Sequence, residues 1–170
     1  MKKHNGMRPH DIAILLKIAA KGNTTWRMKD LAIELGISAS EVSESLNRSA
    51  FANLIGNNKK KLMTMALLEF LQYGLKYVFP QHPGVLLRGL PTAWSAAPLS
   101  EEIESNEAVV WPYAEGTIRG QAIEPLFTNA PKSCLLDKKF YELMALTDAL
   151  RIGKARERSI AIKELTKRLE

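Results

Sequence analysis

The sequence predicts a mainly α-helical protein with short N-terminal helices, a long apolar fourth helix, an extended or β-forming proline-rich middle and a C-terminal helical pair. Apolar residues recur at helical spacing toward both ends of the chain. Seven of the eight prolines fall between Pro80 and Pro131, a density that no long helix tolerates. That stretch still carries Leu86, Leu90, Trp94, Val109, Trp111, Ile123 and Phe127, too much apolar surface for a solvated linker.

Pro9 suits a first helical turn, and Ile12, Leu15, Leu16 and Ala19 follow at helical spacing, predicting a first helix over about 9–21 that Gly22 and Asn23 stop. A second helix is expected after Thr25 as its cap, with Leu31, Ala32 and Leu35 buried and Gly36 ending it. Ser38 then caps a third helix, with Glu41 completing a capping box and Val42 and Leu46 turned inward. The fourth helix, about 62–78, is apolar almost all round and so demands cover on several sides. Leu67, Leu68, Leu71 and Leu75 are its expected dimer-interface residues. Asp137 caps a helix presenting Phe140, Leu143, Leu146 and Leu150, Gly153 breaks it, and a basic helix runs over about 154–168.

The chain has 170 residues, with 46% hydrophobic and 25% charged, which excludes wholesale disorder and fibrous repeats. A lone cysteine, Cys134, rules out an internal disulfide and suits a reducing, cytoplasmic setting. Asp11 and Lys17 bracket only a short apolar run near the N terminus, so that segment reads as a helix rather than a signal peptide. Glu69, Gln72 and Lys76 make 62–79 a poor membrane span, and no membrane partner is expected.

Charge is segregated along the chain. The total is +6, but residues 1–61 carry +6, residues 62–137 carry −4 and residues 138–170 carry +4. A basic N-terminal third is compatible with a polyanionic partner.

In MKDLAIELGISASEVSESL, residues 28–46, Ala32 stands four positions before Gly36, amid Leu31, Leu35, Ile37, Val42 and Leu46. Two short helices crossing steeply need a small side chain at their contact, a glycine free to turn and branched apolar residues to lock the angle. The pattern, continued by NRSAFANLI, resembles the winged helix-turn-helix domains of bacterial MarR-like transcriptional regulators over about residues 8–60. Leu54 and Ile55 stand where the first wing strand starts in that family. The resemblance implies a DNA-binding domain at 1–61 and a dimerisation or partner-binding extension at 62–170, the latter divided into a proline-rich part at 80–131 and helices at about 137–168. It also implies that the third helix enters the major groove, with Ser40, Ser43, Glu44, Asn47 and Arg48 facing DNA. Asn47 suits an adenine edge, Arg48 a guanine edge, and the two serines phosphates. Glu44 either accepts from a cytosine amino group or marks a helix facing protein.

Lys59, Lys60 and Lys61 fall at the implied wing tip, where they either follow phosphates or form a solvated loop. Arg27 and Lys29 open the second helix, which crosses the DNA backbone in such folds, and Lys2, Lys3 and Arg8 are candidates for an N-terminal arm. Only about six residues separate Ile55 from the fourth helix, so a minimal or missing wing hairpin is expected. The partners expected are double-stranded DNA and a second copy of the chain. The rival reading is a protein-binding module, an antitoxin or adaptor, contacting its partner through residues 80–131 with Trp94 and Trp111 as anchors.

His4, His10 and His82 are scattered and the one cysteine forms no CxxC pair, so no metal site, cofactor or catalytic centre is expected. Arg119 in EGTIRG either pairs with Glu115 or Glu124 or holds an anionic ligand.

Overall fold

The computed structural model describes residues 5–170. Among them the chain forms α1 (Pro9–Lys21), α2 (Met28–Leu35), α3 (Ala39–Phe51), α4 (Thr64–Tyr73), α5 (Leu75–Val78), β1 (Leu86–Pro91), β2 (Val109–Pro112), β3 (Ile118–Ala122), α6 (Ala130–Leu135), α7 (Lys138–Ile152) and α8 (Ala155–Leu169). The fold is mixed α/β with helix predominating, and no helix among the described residues is long and apolar enough to cross a membrane.

Helix boundaries follow local chemistry. The Arg8 backbone N–H donates to the Asp11 carboxylate at 2.8 Å, tying the start of α1. The second helix starts later than Thr25 suggests: the Arg27 N–H donates to Asp30 at 2.8 Å, so a carboxylate reaching back secures this end. Gly36 closes α2 at φ 65°, a left-handed conformation that favours glycine. Ser38 caps α3 as expected, accepting from the Glu41 N–H at 3.1 Å. Glu41 does not complete a capping box, because its carboxylate turns to α1, with His10 Nε2 2.7 Å away.

The fourth helix is not one long rod. It is α4 followed, after Gly74, by the single turn of α5, and a side chain at Gly74 would meet the Phe70 ring at 2.9 Å. Leu67, Leu68, Leu71 and Leu75 are all buried within the single chain. They are core residues and line no dimer seam, because α7 and α8 already cover them: α4 packs on both helices and α5 on α7. The central element is instead α7, which touches α1, α4, α5, α6 and α8 and buries Phe140, Leu143, Met144, Leu146, Ala149 and Leu150.

The proline-rich middle builds a closed three-stranded sheet. The first half of β1 pairs antiparallel with β3, Arg88 opposite Arg119, and its second half pairs with β2, Leu90 opposite Trp111. A short parallel pairing, Val109 opposite Gln121, closes the ring. So small a closure needs backbones in contact: a Cβ on Gly116 would lie 2.2 Å from the Gly89 carbonyl oxygen.

A buried polar network fastens this sheet to α7. The wholly buried Asp148 carboxylate accepts from Thr92 Oγ1 at 2.8 Å, Trp111 Nε1 at 2.7 Å and Arg151 Nη1 at 2.8 Å. Arg151 also donates to the carbonyls of Phe79 and Glu124, so one side chain holds the loops on either side of the sheet. Trp111 is therefore interior and anchors no partner, and Trp94 is half-buried with its indole N–H on the Glu107 carbonyl.

Candidate nucleic-acid interface

Helices α2 and α3 are joined by Gly36, Ile37 and Ser38, and a bridge between Ile55 and Leu62 follows α3. The bridge pins a turn over 56–61, closed by the Gly56 N–H on the Lys61 carbonyl at 2.8 Å. Asn58 shapes its tip, its side-chain oxygen accepting from the Lys60 N–H at 3.0 Å and the Lys61 N–H at 3.3 Å. Lys59 sits there at φ 57°.

This turn folds back onto both helices. Lys59 Nζ donates to the Asn47 side-chain oxygen on α3. Lys60 Nζ donates to the Trp26 carbonyl at 2.8 Å and lies 3.9 Å from the centroid of the Trp26 ring, one residue before Arg27. The buried Trp26 thus acts as a post on which the turn rests against the start of α2. Arg27 is 81% exposed along its side chain, and Lys29 and Lys61 are exposed too. The turn thus sets Lys59 against α3 and Lys60 against the residue before Arg27, while Arg27, Lys29 and Lys61 stand exposed.

That face carries Ser40, Glu44 and Asn47 exposed and Ser43 half-buried. Glu44 is 58% exposed and 3.8 Å from the Arg48 guanidinium. Arg48 itself is misread by the sequence. It is 9% exposed and turned into the protein, its Nε and Nη2 donating to the two oxygens of Asp11 on α1, each at 2.8 Å. Hydrogen bonding to Asp11 holds the guanidinium above its ordinary pKa, against the opposing effect of burial. Glu41 joins this cluster through Arg48 at 3.3 Å, His10 and Arg8, the last at 3.6 Å. Arg48 bolts α3 to α1 and reads no base.

Arg8 is engaged with Glu41, and Lys2 and Lys3 lie outside the described residues. The charges that hold this region, Asp11 and His10, escaped the sequence reading. The available signal was Asp11 at the head of the apolar run IAILL: a carboxylate on a buried helical face needs a cation partner. Lys17, 4% exposed, is the same signal at the far end of that run. It pairs with Asp137 at 2.6 Å and Glu34 at 3.0 Å, tying α1 to the start of α7.

A cleft of about 740 Å³ opens beside the cluster, between α1–α3 and the middle segment, lined in part by His10, Ile37, Glu41, Phe127 and Arg151. Asn129 bridges the same two regions, its amide donating to the Leu35 carbonyl at 3.0 Å. The outer face of α3 thus offers amide, hydroxyl and one carboxylate group, with Lys59 of the turn against it. Comparison with family models, curated proteins and solved structures gives no match to this chain.

Proposed function

We propose that the chain is a DNA-binding transcriptional regulator whose N-terminal third works as a winged helix-turn-helix with a minimal wing. What supports this is the turn that sets Lys59 against Asn47 on α3 and Lys60 against Trp26 next to Arg27, with Arg27, Lys29 and Lys61 exposed nearby in sequence. In this reading α3 lies in the major groove. Asn47 meets a base edge, Ser40 and Ser43 meet phosphates, and the turn lysines with Arg27 and Lys29 neutralise further phosphates on either side. Arg48 contributes indirectly by fixing the angle of α3 through Asp11. Binding as a dimer to two half-sites belongs to the same proposal.

A gel-shift titration with the DNA upstream of the protein's own gene, over a range of salt, tests it. Affinity falls as salt rises, and Lys61→Ala and Lys29→Ala each reduce the log-log slope by about one. Lys61 is the cleaner probe, because removing Lys60 also strips the cation from Trp26. A fragment that never shifts at low salt, or slopes identical in parent and variants, defeats the reading. The exposed Glu44 and the 73% exposed Phe51 on α3 favour a second reading, a protein-binding module of the antitoxin or adaptor kind. In that case a copurifying protein is lost on Phe51→Ser while Lys61→Ala leaves it bound.

A further inference from the structure

The ion pairs of this chain are unevenly distributed. Carboxylates in the N- and C-terminal regions find cations within the chain: Asp11 and Glu41 with Arg48, Glu34 and Asp137 with Lys17, Glu142 and Glu164 with Arg168. Between residues 86 and 124 no described carboxylate or arginine makes an ion pair, although the segment holds charges of both signs. Arg119 pairs with neither Glu115 nor Glu124, since Glu115 accepts instead from the Tyr113 hydroxyl at 3.1 Å.

The two arginines stand together. Arg88 on β1 is the direct register partner of Arg119 on β3, so both side chains leave the sheet on one face, and both are exposed. Like charges directly opposite across an antiparallel pair repel, and among the described residues no carboxylate pairs with either arginine. Leu86 shares that face two residues away at 57% exposure. Arginine beside an uncovered leucine has the make-up of a protein contact rather than of a phosphate track.

The complementary surface is on the same chain. Residues 101–107, EEIESNE, present Glu101, Glu102, Glu104 and Glu107, all exposed, while Ile103 turns inward and anchors the loop in the core. Charges that fail to meet in cis are available to meet in trans.

We propose that the Arg88–Arg119 face of one copy docks on the acidic 101–107 loop of a second copy, with the exposed Leu86 beside Arg88 supplying apolar burial. The contact moves self-association away from the buried leucines of α4 and onto the sheet. It does not rest on the DNA reading and is measured without DNA.

The test is sedimentation of the purified full chain over a concentration series at low and high salt. The parent self-associates, and raising salt weakens the association because the contact is ionic at its rim. Arg88→Glu with Arg119→Glu, and separately Glu101→Lys with Glu102→Lys and Glu104→Lys, each weaken association at least about tenfold, since like charges then face each other. Mixing the two variants restores a complex, because each carries the charge the other now needs. All five substitutions are at exposed positions, and circular dichroism of each variant checks the fold. The proposal is overturned if the parent is monomeric throughout, if either variant associates like the parent, or if the mixture stays apart. Loss of DNA affinity in the arginine variant with unchanged sedimentation also overturns it, assigning the pair to nucleic acid.

Discussion

Replacing Arg48 with alanine separates two accounts of the third helix, and the structure sets the size of the effect. The Asp11 carboxylate is wholly buried and keeps only the Arg8 N–H at 2.8 Å and His10 Nε2 at 3.6 Å once Arg48 is gone. Two unit charges about 4 Å apart interact by roughly 4 kcal/mol at an effective dielectric constant of about 20. Breaking a buried pair by removing one partner costs about 3–5 kcal/mol, and the two remaining partners of Asp11 put the expectation near the low end, about 3 kcal/mol. For a chain of this size that lowers the melting temperature by about 6–12 °C. Urea unfolding followed by circular dichroism measures it as a lower midpoint at unchanged slope. The double variant Asp11→Asn with Arg48→Met regains more than half of the loss, because no uncompensated charge remains inside. A base-reading arginine behaves oppositely: Arg48→Ala would then lose about 1–3 kcal/mol of DNA affinity with stability unchanged. An alanine variant within about 0.5 kcal/mol of the parent in stability refutes the buried-pair argument.

Asp148→Asn tests the network that holds the sheet on α7. The amide presents an N–H₂ group among the donors of Thr92, Trp111 and Arg151 and leaves the Arg151 cation without its carboxylate, for a loss of about 3–5 kcal/mol and a shift in Trp111 emission. An unchanged melting temperature would remove this network from the account of stability. Acid sensitivity follows from Lys17. Burial pushes the Asp137 carboxyl up, but hydrogen bonds from Lys17 and the Phe140 N–H outweigh it and leave the pKa below its ordinary value. Glu34 is lowered in the same balance, by Lys21 and Lys17. Their stabilisation is therefore present above an unfolded-state pKa near ~4 and lost as pH falls through the lower folded-state values. Between about pH 6 and pH 2 the unfolding free energy falls less steeply for Lys17→Met than for the parent, and equal slopes contradict the pairing.

What the sequence by itself determined is the local layer. Pro9, Ser38, Asp137 and Gly153 mark helix ends through chemistry within a few residues, and α1, α7 and α8 begin and end within a residue or two of the predicted positions. The tight connection after Ile55 was legible for the same reason, since six residues leave room for a turn and the Ile55–Leu62 bridge but little more. Where partners are distant the local signal ran out. Arg48 reads as a surface cation on a polar helix until Asp11, 37 residues away, is brought beneath it. The leucines of α4 call for cover, and periodicity shows how much apolar surface there is without naming what lies on it. Packing against α7 and α8 within the chain settled that. Lys60 on Trp26, 34 residues apart, and Arg88 opposite Arg119 are likewise products of register and crossing, which depend on the whole chain closing at once. Charge identity is written residue by residue, but whether a charge is a buried bolt or an exposed contact depends on the dielectric and the partners that tertiary folding supplies.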